Sequence, residues 1–170
     1  MNYKLEVIGF TIDSSILAQT AGAHRIELCD NPNEGGTTAS AGFITIARKK
    51  LSIELYPIIR PRGGDFLYSD DEFEVMKNDV RLCKDVGCDG IVTGILQADG
   101  TIDIDRSRQL VALAYPLGAT FHRAFDRCND PFKAMEDIIE CGFERILTSG
   151  QQPAAMEGIE LIASLIEKAA

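Results

Sequence analysis

Three side chains within or at the ends of apolar runs could do chemistry in this chain: Glu27 in the middle of Arg25-Ile26-Glu27-Leu28-Cys29, Arg60 in Ile58-Ile59-Arg60-Pro61-Arg62-Gly63-Gly64, and His122 in Thr120-Phe121-His122-Arg123. A carboxylate among apolar residues suits a base or a ligand, and an imidazole suits an acid or a base. Guanidinium groups beside glycines, where backbone can approach a ligand, suit a planar anion such as carboxylate or phosphate. Arg62 and Arg123 stand next to that set, and the hydroxyls of Thr93, Thr148 and Ser149 end other apolar runs, so all five are candidate substrate-binding groups. The alternative is structural: the arginines neutralise the chain's own carboxylates, and Glu6 and Glu27 belong to a buried ion-pair network. Of two histidines, His24 falls in a predicted surface turn, which leaves His122 as the candidate acid or base.

The totals narrow the partners. A length of 170 residues predicts one domain, residues 1–170, with a sizeable core. A formal net charge of −9 excludes nucleic acid and anionic membrane as natural partners, since both demand a basic face. No apolar run approaches membrane-spanning length, and Met1-Asn2-Tyr3-Lys4-Leu5-Glu6 lacks the apolar core of a signal peptide. The cysteines are Cys29, Cys83, Cys88, Cys128 and Cys141; an odd count with no CxxC predicts reduced thiols in a cytoplasmic protein. Cys83 and Cys88 lie five apart, a poor zinc spacing, so each cysteine reads as a small buried hydrophobe.

The elements that must position these groups alternate regularly. Strands are predicted over 4–8, 25–29, 53–59, 90–96, 119–122 and 145–148. Helices are predicted from Asp13 or Ser14 to Ala21, over 41–49 and 70–86, from Asp103 or Asp105 to Ala114, from Pro131 to Glu140, and from Pro153 to Lys168. Ser69 and Glu72 have the capping-box spacing, which marks the start of the third helix. Pro57 is awkward in a central strand, because it brings no N–H to the ladder. Gly22, Gly87 and Gly142 each end a helix shortly before a strand, a weak repeat with a mechanism in the left-handed glycine stop.

Six β-then-α units require a parallel sheet. An open doubly wound sheet usually carries a glycine-rich phosphate loop after its first strand, yet Gly9-Phe10-Thr11-Ile12-Asp13 is no such loop. Charges inside and at the ends of the strands fit a TIM (β/α)8-type barrel better, with polar groups gathered at its C-terminal mouth.

Five motifs in order carry a resemblance: Arg25-Ile26-Glu27-Leu28-Cys29, Glu34-Gly35-Gly36-Thr37-Thr38, Ile59-Arg60-Pro61-Arg62-Gly63-Gly64-Asp65-Phe66, Thr120-Phe121-His122-Arg123-Ala124-Phe125-Asp126 and Leu147-Thr148-Ser149-Gly150. From about residue 5 to 168 the chain resembles the CutC family. That resemblance implies a TIM-like barrel, a cytoplasmic location and an association with copper homeostasis, with copper ion as a ligand. Members often have cysteine where this chain has Ile8, so Cys29 is left as a single candidate metal ligand, and Cu(I) prefers more than one soft donor. Family chains also continue through a seventh and eighth strand, with a glycine-rich loop after the seventh. Here about six units imply an incomplete barrel with weak or absent catalysis. Its apolar edges, Leu5, Val7 and Ile8 on one side and Ile146 and Leu147 on the other, predict a homo-oligomer. Three functions follow: a copper-homeostasis protein that binds copper, a barrel enzyme acting on a small anionic metabolite, or a fragment that keeps the fold without a working site.

Overall fold

The structure is a computed structural model and describes residues 3–169. Its order is β1 (Glu6–Gly9), α1 (Ile12–Thr20), β2 (Arg25–Leu28), a 3-10 turn (Pro32–Glu34), α2 (Ala41–Lys50), β3 (Glu54–Pro57), α3 (Asp70–Val86), β4 (Gly90–Thr93), α4 (Ile104–Ala114), β5 (Gly118–Phe121), a second 3-10 turn (Arg123–Arg127), α5 (Pro131–Glu140), β6 (Arg145–Ile146) and α6 (Ile159–Ala169). The fold is α/β, a partial barrel of six βα units.

All ladders are parallel and sequential, but they fall into two sets, β1-β2-β3 and β4-β5-β6. A bridge between Ile58 and Val92 joins them, with Ile59 N–H donating to Val92 O at 2.7 Å. The seam has a chemical cause in Pro57. Ile58 N–H donates to β2 at Leu28 O, whereas Leu55 O and Ile59 N–H both bond on the β4 side. By alternation Pro57 also faces β4, where it has no N–H to give.

Alternation along the strands separates two environments. Ile26, Leu28, Leu55, Ile59, Ile91, Ala119 and Phe121 pack outward against Ile44, Met76, Val80, Leu110 and Ile138 of the helices. The inward face carries Phe10, Cys29, Tyr56, Ile58 and Val92. Register sets Glu6 beside Arg25 beside Glu54, and one step up Ile8 beside Glu27 beside Tyr56. The Tyr56 ring fills the lumen so fully that a Cβ on Gly90 or Gly118 would collide with it.

Several boundaries differ from the sequence expectations. The strands are shorter: 53–59 becomes Glu54–Pro57, 90–96 becomes Gly90–Thr93, and 145–148 becomes Arg145–Ile146. Beyond the named strands Ile58, Ile59, Ile95 and Leu96 stay buried, with Ile58 still bridged to Val92 and Leu96 lining the mouth. Thr11, rather than Asp13 or Ser14, caps α1: its Oγ1 accepts from Ser14 N at 3.0 Å while Ser14 Oγ accepts from Thr11 N at 3.2 Å. Asp103 rather than Asp105 caps α4, accepting from Arg106 N at 3.0 Å. The last helix starts at Ile159, not Pro153, because 150–158 fold back as turns in which the backbones of Gly150 and Gly158 meet too closely for a Cβ. The Ser69–Glu72 capping box is present, and α3 runs over 70–86 as expected.

Candidate functional site

The lumen is polar at both ends. Near the strand N-termini Arg25 is clamped between two carboxylates, with Nη1 on Glu6 Oε2 at 2.9 Å and Nε on Glu54 Oε2 at 2.8 Å. Its guanidinium lies 4.3 Å from the Tyr56 ring centroid, and Arg145 stacks on the same ring at 5.1 Å. For Glu6 the ion-pair reading therefore holds.

Glu27 is different. Register places it in the layer above, 7% exposed, where among the described residues no cation or hydrogen-bond donor meets its carboxylate. Burial, and secondarily the charge of Glu6, push its carboxyl up to about 7. An acid poised there exchanges protons at neutral pH.

Arg60 stands where β3 runs into the mouth. Nη1 donates to the carbonyls of Glu34 at 2.6 Å and Gly36 at 2.8 Å, and Nη2 to Gly64 O at 2.8 Å. Its backbone N–H reaches Thr38 Oγ1 at 2.8 Å. These bonds tie two loops together but leave Nε unpartnered, and among the described residues no carboxylate pairs with the guanidinium. His122, at the end of β5, accepts from Ala124 N at its Nδ1 (3.2 Å), so its proton sits on Nε2, which has no partner. Burial and then the charge of Arg60 hold the imidazole neutral, down at about 3. Gly94 makes room for it: a Cβ there would stand 2.7 Å from Nδ1.

A cavity of about 820 Å³ opens over this end of the strands, lined by Arg60, Phe66, Leu96, Gln97, Arg123 and Asp126 among others. Arg123, Thr148 and Ser149 converge on Asp126, which the sequence reading had not singled out. Its carboxylate accepts from Arg123 Nε at 2.7 Å, Thr148 Oγ1 at 2.5 Å, Ser149 N at 3.1 Å, Ser149 Oγ at 3.0 Å and Gln151 N at 3.0 Å. Burial opposes its charge, but these donors, Thr148 first, hold it below the usual carboxylate range. Its place three residues after Arg123 was the available signal.

Two candidates lie elsewhere. Arg62 is spent within its own loop, on Asp65 at 2.9 Å and Glu72 at 2.5 Å, so it is not free to clamp a ligand. Thr93 is fully buried and donates to Ile59 O at 3.0 Å, which fastens β4 to β3.

Comparison with known proteins gives these residues a setting. The model of the CutC family matches residues 3–170. The chain belongs to the CutC family. It is 53% identical over 169 residues to a family protein CutC of Chromobacterium violaceum, covering 99% of this chain and 68% of that one. It is 49% identical to the human copper homeostasis protein cutC homolog, over 98% of this chain and 61% of that one. A solved CutC structure from Streptococcus agalactiae superposes with a TM-score of 0.90 at 34% identity, covering 98% of this chain and 82% of that chain. The chain thus spans roughly two thirds of these curated relatives' length. The names of the relatives carry the association with copper homeostasis.

The residues present do not fit a resident copper ion. Cys29 is buried on the inward face, and burial, then Glu27 and Glu6, push its thiol far up, so it stays protonated. On β1 the neighbouring inward position is Ile8, level with Glu27, and not a second thiol. Among the described residues no group of three or more His, Cys, Asp or Glu could hold a metal ion. Soft Cu(I) asks for more than one buried, protonated sulfur.

Proposed function

We propose that this chain binds a small anionic metabolite at the C-terminal mouth of its barrel, as part of a barrel enzyme in a family named for copper homeostasis. One observation carries the reading: Arg60, 5% exposed, lines the cavity with no carboxylate counter-ion among the described residues. A buried cation without a paired carboxylate is costly, and a bound anion supplies the missing charge. In this reading Arg60 anchors the anion and Glu27, with its carboxyl at about 7, gives or takes the proton. His122 donates a neutral hydrogen bond, while Arg123, Thr148 and Ser149, held by Asp126, shape the rim. The five free, buried cysteines suit a cytoplasmic setting.

A thermal-shift screen of phosphorylated and carboxylated metabolites tests this. A ligand at a hundred times its Kd adds about 2.7 kcal/mol of apparent stability. The rise is expected to vanish in Arg60→Lys and to persist in Glu27→Gln; a wild-type chain indifferent to every anion refutes the reading. Direct copper binding competes with it, supported by the family name and by the inward-facing thiol of Cys29. A Cu(I) titration separates them: the anion reading expects no stoichiometric uptake, whereas uptake that disappears in Cys29→Ala favours copper.

A further inference from the structure

Among the described residues two buried nitrogen donors flank one aromatic ring without a hydrogen-bond partner, and the unpartnered hydroxyl of Tyr68 lies beside the first of them. Arg60 Nε and His122 Nε2 are both unpartnered, on side chains 5% and 4% exposed. The Phe66 ring centroid lies 4.9 Å from the Arg60 guanidinium carbon and 4.9 Å from the His122 ring centroid. Phe66 lines the cavity and packs against the imidazole, which does not line it. Its backbone is fixed, with Leu96 N–H donating to Phe66 O at 3.0 Å; the movable part is the side chain.

We infer that the ligand of this site is a small oxyanion, with one oxygen on Arg60 Nε and one on His122 Nε2, and that Phe66 is the side chain that must swing aside to admit it. The inference rests on the anion-binding reading above and narrows it. Both groups only donate, so the ligand must bring acceptors, which rules out amines and cations. The Arg60 Nη atoms give three of their four hydrogens to carbonyls, which leaves Nε–H and one Nη2–H for a ligand beside His122 Nε2–H. An oxyanion supplies both the acceptors and the negative charge that no carboxylate pair gives Arg60 among the described residues.

The test uses the full chain, acetate and inorganic phosphate as probes, and the long-range nitrogen–proton NMR spectrum of its two histidines. Acetate and phosphate are each expected to shift His122 Nε2 saturably and leave His24 unmoved. Phe66→Ala removes the need to displace the ring and is expected to lower the acetate Kd about tenfold, because the competent state becomes the populated one. Phe66→Leu, which keeps an apolar cover, is expected to stay within about threefold of wild type and serves if the alanine variant does not fold. Anion binding that leaves His122 Nε2 unmoved overturns this placement while leaving the anion reading intact. Acetate binding unaltered in Phe66→Ala overturns the role of Phe66. No response to either anion in any variant removes the anion reading, and this inference with it.

Discussion

Replacing Glu27 by Gln should make this protein more stable above neutral pH and leave it unchanged in acid. The carboxyl rises from 4.5 to about 7 on folding, driven first by burial and then by the charge of Glu6. Its folded form therefore holds a proton that the unfolded chain has already released. Between pH 4.5 and 7 the native state binds more protons than the unfolded one, so stability falls as pH rises through that window and levels off above it. At about 1.4 kcal/mol per pH unit the whole rise amounts to roughly 3 kcal/mol. Gln cannot ionise, and its amide resembles the neutral acid in shape and polarity. Urea unfolding of both proteins from pH 4 to pH 8 should give a difference near zero at pH 4 that grows to about 3 kcal/mol by pH 8. Because every other titrating group is common to both chains, the difference curve isolates Glu27. A difference that stays constant across this range would refute the placement of an unpaired carboxylate in the lumen.

Gly90→Ala should destabilise the chain by about 3 kcal/mol, the upper end for overpacking, because Tyr56 is stacked by Arg25 and Arg145 and bounded by Gly118, so its ring has nowhere to retreat. Chemical denaturation measures this, and a loss under about 0.5 kcal/mol would show that the lumen gives way. Among the described residues β1 pairs only with β2 and β6 only with β5, leaving two apolar edges. Sedimentation of the 170-residue chain should then show concentration-dependent self-association, and a monomer whose edge amides all resist hydrogen exchange would contradict it.

Much of the architecture was legible because its signals are local. The third helix runs from Asp70 to Val86, marked at one end by the Ser69–Glu72 box and at the other by the left-handed Gly87, and both lie within a few residues of what they control. Strand ends were less legible. Ile58, Ile59 and Leu96 look like strand because they are apolar and buried, yet beyond the named strands only isolated bridges continue, Ile58 to Val92 and Leu96 to Ile102. Glu27 and Arg60 were legible as candidates from their residue types and their places in apolar runs that a barrel gathers at its mouth. Arg62 misled for a local reason: Asp65 and Glu72 lie close enough along the chain to capture it. Asp126 was out of reach for the opposite reason, since the donors of Thr148, Ser149 and Gln151 come from more than twenty residues away.

The unpaired state of Glu27 and Arg60 is itself an argument about selection. They are opposite charges on neighbouring strands of one inward face, and a direct ion pair would relieve both. The fold instead puts Cys29 between their fields: Glu27 pushes that thiol up while Arg60 pulls it down. Meanwhile at the other end of the lumen Arg25 and Lys4 pair with the two carboxylates of Glu6 and Glu54. Pairing is thus available to this chain and is used where it steadies the barrel floor. Toward the mouth, among the described residues, an acid at about 7 and a cation with no paired carboxylate remain at the lumen and its cavity. Stability alone favours the opposite distribution, in which the deeper charges pair with one another and the solvated rim stays free. The arrangement found is the one expected where a ligand, rather than a side chain, completes the electrostatics.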